Sequence, residues 1–208
     1  YNVFAQGGDR MGENRHNPEQ LLKAIQAGEE NRNKGHLKIF FGYAAGVGKT
    51  YAMLEAAHMA KQQGIDVVAG YIEPHSRPKT AALLNGLEVL PTREVLYNGM
   101  ILNEFDIDMA LKRKPQLILV DELAHTNAEG CRHAKRYQDI KELLNAGIDV
   151  YTTVNVQHIE SLCDTVSSIT EIVVQERIPD SLFDNADQVE LMDIEPQDLI
   201  DRLNTGNV

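Results

Sequence analysis

The sequence predicts an α/β fold, in which a mostly parallel sheet carries helices on both of its faces. Two observations support this prediction. Short apolar runs alternate along the chain with longer segments whose apolar residues recur at helical spacing. Apolar strands separated by amphipathic helices are typical of a parallel sheet that is covered on both sides, with right-handed crossovers.

The predicted strands are the short apolar runs. They cover residues 37–41, 67–72, 116–120, 148–154, 172–175 and 188–192. The stretch 87–97, which contains Pro91, predicts an irregular pair of strands.

The predicted helices lie between these runs. They cover residues 49–63, 80–84, 106–112, 135–146 and 159–168, and a last helix follows Pro196. Gly64 and Gly147 stand directly after two of them, as glycine does at many helix ends.

The length of 208 residues suits one domain, and the contents of 43% hydrophobic and 25% charged residues are ordinary for a globular chain. Residues 1–16 are polar and glycine-containing, which predicts a loose arm or residues foreign to the domain. The domain is predicted over 17–208. Its first helix begins where Asn17 can cap, Pro18 fits the first helical position and Gln20 can reach back.

The net charge of −11 makes nucleic acid an unfavourable partner, because phosphate backbones repel an acidic surface. Cys131 and Cys163 form no C-x-x-C pair, so neither a zinc knuckle nor a disulfide framework is expected. The sequence contains no apolar run of about 18 residues, so no direct membrane insertion is expected. It also shows no secretory leader, which predicts a cytosolic location.

A glycine-rich bend, GYAAGVGKT, connects the first strand to the helix after it. Such a loop turns successive backbone N–H groups inward and cradles phosphate oxygens at a helix N-terminus, while its lysine adds a positive charge. The usual pattern places its leading glycine at position 43, where this chain has Tyr43, and we expect Gly42 to supply the bend one residue earlier. The bland alternative is a glycine turn beside an ordinary lysine. The predicted nucleotide-binding residues are Gly42, Ala45, Gly46, Val47, Gly48, Lys49, Thr50 and Tyr51.

An acidic pair, Asp121–Glu122, ends the third apolar strand. In nucleotide hydrolases an aspartate at this place holds magnesium, so Asp121 and the Thr50 hydroxyl are the predicted metal partners. Glu122 is the predicted catalytic base, because a carboxylate can accept a proton from an attacking water. Surface acids at a strand end are the alternative.

The fourth strand turns polar towards its end, in DVYTTVNVQH. Strand C-termini face the ligand crevice of an open α/β sheet. The glycine loop and the acidic pair predict a P-loop NTPase-like fold, and in the glutamate-bearing class of these proteins the fourth strand lies between the first and the third, as we expect here. Asn155 and Gln157 are then candidates to face a γ-phosphate, with Gln157 as a catalytic candidate that orients water. Either residue could instead cap the next helix.

Three arginines are further candidate partners of a phosphate. Arg77, Arg132 and Arg136 could supply positive charge, but solvated surface arginines are the commoner case. No N-K-x-D sequence appears, so adenine is the default base.

Four segments together resemble the N-terminal cytoplasmic domain of the KdpD family of potassium-responsive sensor histidine kinases: FFGYAAGVGKT, VDELAHTNAEGCRHAKRYQDI, GIDVYTTVNVQHIESL and RIPDSLFDNADQVELMDI. The resemblance covers about 17–208. It implies a domain that binds ATP and Mg²⁺ and regulates the kinase/phosphatase balance of a bacterial inner-membrane protein. It also implies a homodimeric full-length protein, with a response regulator as partner and potassium uptake under its control.

Three functions follow as alternatives. The first is a regulatory ATP-binding module of a two-component sensor kinase. The second is a freestanding phosphotransferase or slow ATPase, and the third is an interaction module whose glycine loop is only structural. The chain contains no phosphoacceptor histidine box and no kinase N and G boxes, so it is not expected to be the histidine kinase itself.

Overall fold

The computed structural model describes residues 33–73 and 78–204. The predicted arm over 1–16, the predicted helix start at Asn17 and the candidate Arg77 lie outside these residues. Among the described residues, no helix is both long and apolar enough to cross a bilayer.

Six strands form the main sheet of the described residues: β1 Leu37–Gly42, β2 Val67–Tyr71, β3 Glu88–Val89, β6 Leu117–Val120, β7 Asp149–Asn155 and β8 Gln188–Met192. Their order across the sheet is β3–β2–β6–β7–β1–β8, and each strand is parallel to its neighbours. β4 Arg93–Tyr97 and β5 Met100–Glu104 form a separate antiparallel pair. The predicted α/β class and the place of the fourth predicted strand, β7, between the first and third are confirmed.

The helices that connect these strands are mostly those that the sequence predicts. They are α1 Lys49–Gln62, α2 Pro78–Ala82, α3 Ile107–Arg113, α4 Arg136–Asn145, α5 Cys163–Thr170, α6 Asp180–Asp184 and α7 Pro196–Asn204. α5 begins later than predicted, because two 3₁₀ turns, Val156–His158 and Glu160–Leu162, precede it.

Alternate residues of the central strands serve two apolar clusters, one on each face of the sheet. Ile39 and Ile118 pack with α3 and α4, whereas their neighbours Phe40 and Leu119 pack with α1. Successive side chains of a strand point to opposite faces, so both clusters draw on the same strands. This explains why a central strand such as β6 is apolar throughout.

One predicted strand is wrong: residues 172–175 form no strand, and Ile172 and Val173 are exposed. β1 already pairs with β7 and β8, so this β-branched run does not pair with β1. The two strands predicted around Pro91 are present, but they do not pair with each other: β3 joins the main sheet and β4 pairs with β5. An Asn98–Gly99 turn with positive φ at both residues (49° and 82°) joins β4 to β5, and Asn-Gly is a strong hairpin signal.

Candidate functional site

A cavity of about 710 Å³ opens at the carboxyl ends of the parallel strands. One part of its lining comes from the loop between β1 and α1, and another from the acidic pair after β6. The end of β7 and the connection from β8 to α7 complete it. Ligands of open α/β sheets bind at this edge, because the loops that follow parallel strands converge there.

The loop between β1 and α1 owes its shape to two glycines. Gly46 has φ 84° and Gly48 has φ 104°, values that L side chains adopt only with strain. Gly48 directly precedes α1, so the curled backbone leads into the helix N-terminus. This arrangement favours an anion at the mouth of the loop.

Gly42 does not have the predicted role of supplying the bend of the loop. It is the last residue of β1, it lies opposite Asn155 of β7 and Met192 of β8, and its φ is not positive. A Cβ at this position would lie 2.6 Å from Cγ2 of Val47 and 3.2 Å from Cδ of Lys49. Gly42 therefore lets the loop fold back closely over the strand end, and the predicted bend at Gly42 is wrong.

Lys49 and Thr50 open α1 and face the cavity. Lys49 is buried, and its Nζ donates a hydrogen bond to the Ala44 carbonyl at 2.8 Å. The Thr50 hydroxyl donates to Oδ2 of Asp121 at 3.1 Å. The structure thus joins the glycine loop to the acidic pair, as the sequence predicts for a phosphate–magnesium site. Ala45, Val47 and Tyr51 also line the cavity.

Asp121 is 1% exposed and is held by its neighbours. Its carboxylate accepts from Thr50 and from Thr153 of β7, and from the backbone N–H of Glu122 at 3.2 Å. The described residues contain no cluster of three or more His, Cys, Asp or Glu that could hold a metal by themselves. Magnesium at nucleotide sites takes one or two protein oxygens and shares phosphate oxygens, so the pair Asp121 and Thr50 fits it.

Glu122 adopts a backbone conformation that is unusual for a glutamate, with φ 60°. Its N–H donates to the Thr153 hydroxyl at 3.2 Å, which fixes the turn. Burial, and then the negative charges of Glu73 and Asp121, raise the pKa of its carboxyl above the usual value. Oε2 lies 3.9 Å from Nδ1 of His125. A carboxylate that holds a proton more readily than usual suits proton acceptance from a water.

We expect Glu122→Gln to stabilise the fold at neutral pH. A carboxyl with a raised pKa binds its proton more tightly in the folded chain, so folding stability falls as the pH rises from the unfolded pKa through the raised one. Glutamine has no charge to bury. The melting temperature of the variant should exceed that of the wild type by a few degrees at pH 7, and the two should converge below about pH 4.

Thermal melts between pH 4 and pH 8 check this expectation, with Glu129→Gln on an exposed loop as the matched control. The control should follow the wild type at every pH. A Glu122→Gln chain that melts below the wild type at pH 7 contradicts the electrostatic account.

The two candidate residues at the polar end of β7 differ in whether they line the cavity. Asn155 lines the cavity, and its Oδ1 is buried with no hydrogen-bond partner among the described residues. Gln157 lies in a 3₁₀ turn and does not line the cavity; its backbone carbonyl accepts from the Cys163 thiol at 3.2 Å. Thr153, another polar residue of β7, accepts from the Glu122 N–H and donates to the Asp121 carboxylate, a role that sequence reasoning did not predict.

The arginine candidates have other partners. Arg136 is 0% exposed, so the expectation of a solvated side chain is wrong; Nη2 donates to Oε2 of Glu104 at 3.0 Å. Arg132 pairs on the surface with Asp108 and Glu142. Among the described residues, the arginine that lines the cavity is Arg202 of α7, which sequence reasoning missed.

The family model and the known proteins that match this chain carry the same family name. Residues 33–208 match the family described as "KdpD: Osmosensitive K+ channel His kinase sensor domain". The chain is 60% identical over 194 residues to the "Sensor protein KdpD" of Clostridium acetobutylicum, which covers 93% of this chain and 22% of the relative. It is 55% identical to that of Escherichia coli K12, covering 93% of this chain and 21% of the relative.

A third relative is shorter. The "Putative sensor protein KdpD" of a Synechocystis strain is 50% identical over 189 residues, covering 91% of this chain and 51% of that protein. The chain thus spans about a fifth of the length of the first two relatives, and about half of the third.

Proposed function

Since the chain belongs to the KdpD family of sensor domains, we propose that it is a regulatory nucleotide-binding domain that takes up ATP together with Mg²⁺. In the longer protein it would act on the kinase/phosphatase balance of a sensor histidine kinase that controls potassium uptake through a response regulator. The full-length protein would be a homodimer in the bacterial inner membrane. The chain spans only part of its relatives, so these statements about the whole protein are part of the proposal.

The observation that carries the proposal is the link between the glycine loop and the acid after β6. Thr50 and Asp121 belong to different elements, yet their side-chain oxygens lie 3.1 Å apart at the floor of the cavity. Two oxygen donors beside a curled N–H loop and a buried lysine form a set that matches a metal–polyphosphate ligand.

The roles of the individual residues follow from their positions. The loop N–H groups and Lys49 would bind and orient the phosphates. Thr50 and Asp121 would hold magnesium, which supplies charge neutralisation on the phosphate oxygens when it is bound. Adenine is the base by default, because the chain lacks the usual guanine-reading tetrapeptide.

Hydrolysis is a second activity that one residue favours. Glu122 stands beside Asp121 with a raised pKa, as a general base requires. Its side chain is 41% exposed, however, so water is not excluded around it. We therefore propose that ATP hydrolysis is slow. Slow hydrolysis suits a regulatory domain in which the ATP-bound form is the signal.

Calorimetric titration of the chain with ATP, ADP, GTP and cyclic dinucleotides, each with Mg²⁺, tests the proposal, together with phosphate release. We expect heat of binding with ATP and turnover well below about 1 s⁻¹, the lower end of ordinary enzyme rates. Turnover above that value would favour a phosphotransferase or ATPase. The absence of ATP binding would favour an interaction module.

A further inference from the structure

The connection from β8 to α7 places a positive charge against the glycine loop. Nη1 of Arg202, in the last turn of α7, donates to the Gly46 carbonyl at 2.9 Å. The Tyr43 hydroxyl donates to the Ile194 carbonyl at 2.9 Å, so the loop also holds the segment that leads into α7. These two contacts join the phosphate-binding loop to the last described helix.

Arg202 is the single cation between Gln188 and Asn204. The same stretch carries five carboxylates: Glu190, Asp193, Glu195, Asp198 and Asp201. Asp193 lines the cavity, and a phosphate beside this wall would meet repulsion without a compensating charge. The arginine therefore stands where a polyphosphate would need a positive group.

α7 buries little of its own surface against the described part of the chain. It contains no buried residue, and its apolar side chains Ile200 and Leu203 are 48% and 55% exposed. Helices with few buried contacts open at low free-energy cost, so a small number of polar contacts can decide whether such a helix stays docked. The contact of Arg202 with the loop is one of them.

We propose that Arg202 is a phosphate-binding residue of the nucleotide site, and that a bound nucleotide docks α7 onto the glycine loop. The proposal rests on the nucleotide-binding function given above. A guanidinium forms stronger hydrogen bonds with anionic phosphate oxygens than with a neutral carbonyl. Occupation of the loop therefore adds a charge-assisted hydrogen bond to the contact that Arg202 makes with the Gly46 carbonyl, and it holds α7 in place, which converts binding into the ordering of a helix.

The position of α7 in the fold indicates that Arg202 binds phosphate without taking part in catalysis. β8 pairs with one edge of β1, and β7, which contacts both acids through Thr153, pairs with the other. Arg202 thus approaches the loop from the edge opposite the acidic pair. Its loss should weaken binding without changing the rate of any hydrolysis at saturation.

Arg202→Gln tests the proposal, because glutamine keeps a polar side chain with N–H donors and loses the charge. We expect it to weaken Mg–ATP binding by about tenfold or more, and to weaken binding of Mg–tripolyphosphate by the same factor. The matched control is Arg93→Ala, whose arginine contacts Asp108 and the Gly130 carbonyl away from the cavity. It should bind ATP as the wild type does.

Hydrogen exchange of the α7 backbone amides gives a readout of docking. In the wild type, Mg–ATP should slow this exchange; in Arg202→Gln it should not, even at ATP concentrations that saturate the variant. Wild-type affinity in Arg202→Gln, or unchanged α7 exchange in the ATP-bound wild type, overturns the inference while nucleotide binding stands. A wild type that fails to bind ATP overturns both the inference and the proposed function.

Discussion

Arg136→Met lowers the free energy of unfolding by about 3–5 kcal/mol, the largest loss of stability that we expect from one substitution in this chain. Arg136 is fully buried, and its guanidinium lies 3.0 Å from the Glu104 carboxylate and 4.1 Å from the centre of the Tyr71 ring. Methionine keeps much of the packing on the ring. It leaves the buried Glu104 carboxylate with the His125 ring and the Ala128 N–H but without the Arg136 guanidinium, and the loss of that buried cation causes the destabilisation.

Arg132→Met is the matched comparison, since Arg132 lies four positions earlier and pairs with two carboxylates, at 2.6 Å and 2.5 Å. Its side chain is 44% exposed, so the loss should stay below about 1 kcal/mol. Urea denaturation of both variants at pH 7 measures the difference. Equal losses would show that the number of ion pairs, and not burial, sets the cost.

The pH dependence of the Arg136→Met defect follows from Glu104. Burial would raise the pKa of this carboxyl, but the His125 hydrogen bond, the Ala128 N–H and the Arg136 charge outweigh it and hold the pKa below its usual value. The stabilisation is therefore present above the unfolded pKa and is lost as the pH falls through the lowered one. The deficit of Arg136→Met should shrink in acid, and Arg136→Met/Glu104→Gln should recover part of it at pH 7.

Lys49→Met weakens binding of Mg–ATP on the order of 100-fold, because the ammonium group would make charge-assisted hydrogen bonds to phosphate oxygens. Methionine retains the apolar stem that packs over Gly42, so the loop should keep its fold. Calorimetry with ATP measures the loss of affinity, and a melting temperature close to that of the wild type shows that the fold is intact.

Lys61→Met, at the other end of α1 and outside the cavity, is the control for removal of a positive charge from the same helix. It should bind ATP as the wild type does. If Lys49→Met also binds like the wild type, the glycine loop is not a phosphate site and the interaction-module interpretation gains support.

Much of the fold is readable from the sequence because local signals agree with the tertiary arrangement. Apolar runs such as 116–120 become strands since both faces of the sheet are covered, and Gly147 follows a helix as expected. Residues 172–175 show the limit of this reasoning. Their β-branched pattern favours a strand, but a strand forms only where it pairs with another, and the pairing partner is decided by residues far along the chain.

The candidate site, too, could be predicted only in part. The glycine loop and the acidic pair are contiguous motifs with a chemical reason for each residue, so their positions could be predicted. The burial of Arg136 could not, because it depends on Glu104 at the end of a hairpin that sequence reasoning missed. The sequence gives one signal for Arg202, which is the single cation in the acidic stretch 188–204. Only the structure shows that this stretch contacts the glycine loop.

The central place of β1 has a consequence for the order in which the chain can mature. Leu37 pairs with Val150 and Lys38 with Gln188, so the strand that carries the glycine loop gains its two neighbours only from distant, later parts of the chain. Pairings of such separation close long loops and form slowly. During synthesis, β1 and the glycine loop that follows it therefore stay unpaired until β7 and β8 have been made. The loop can then bind a ligand only late in synthesis, when both strands have paired with β1.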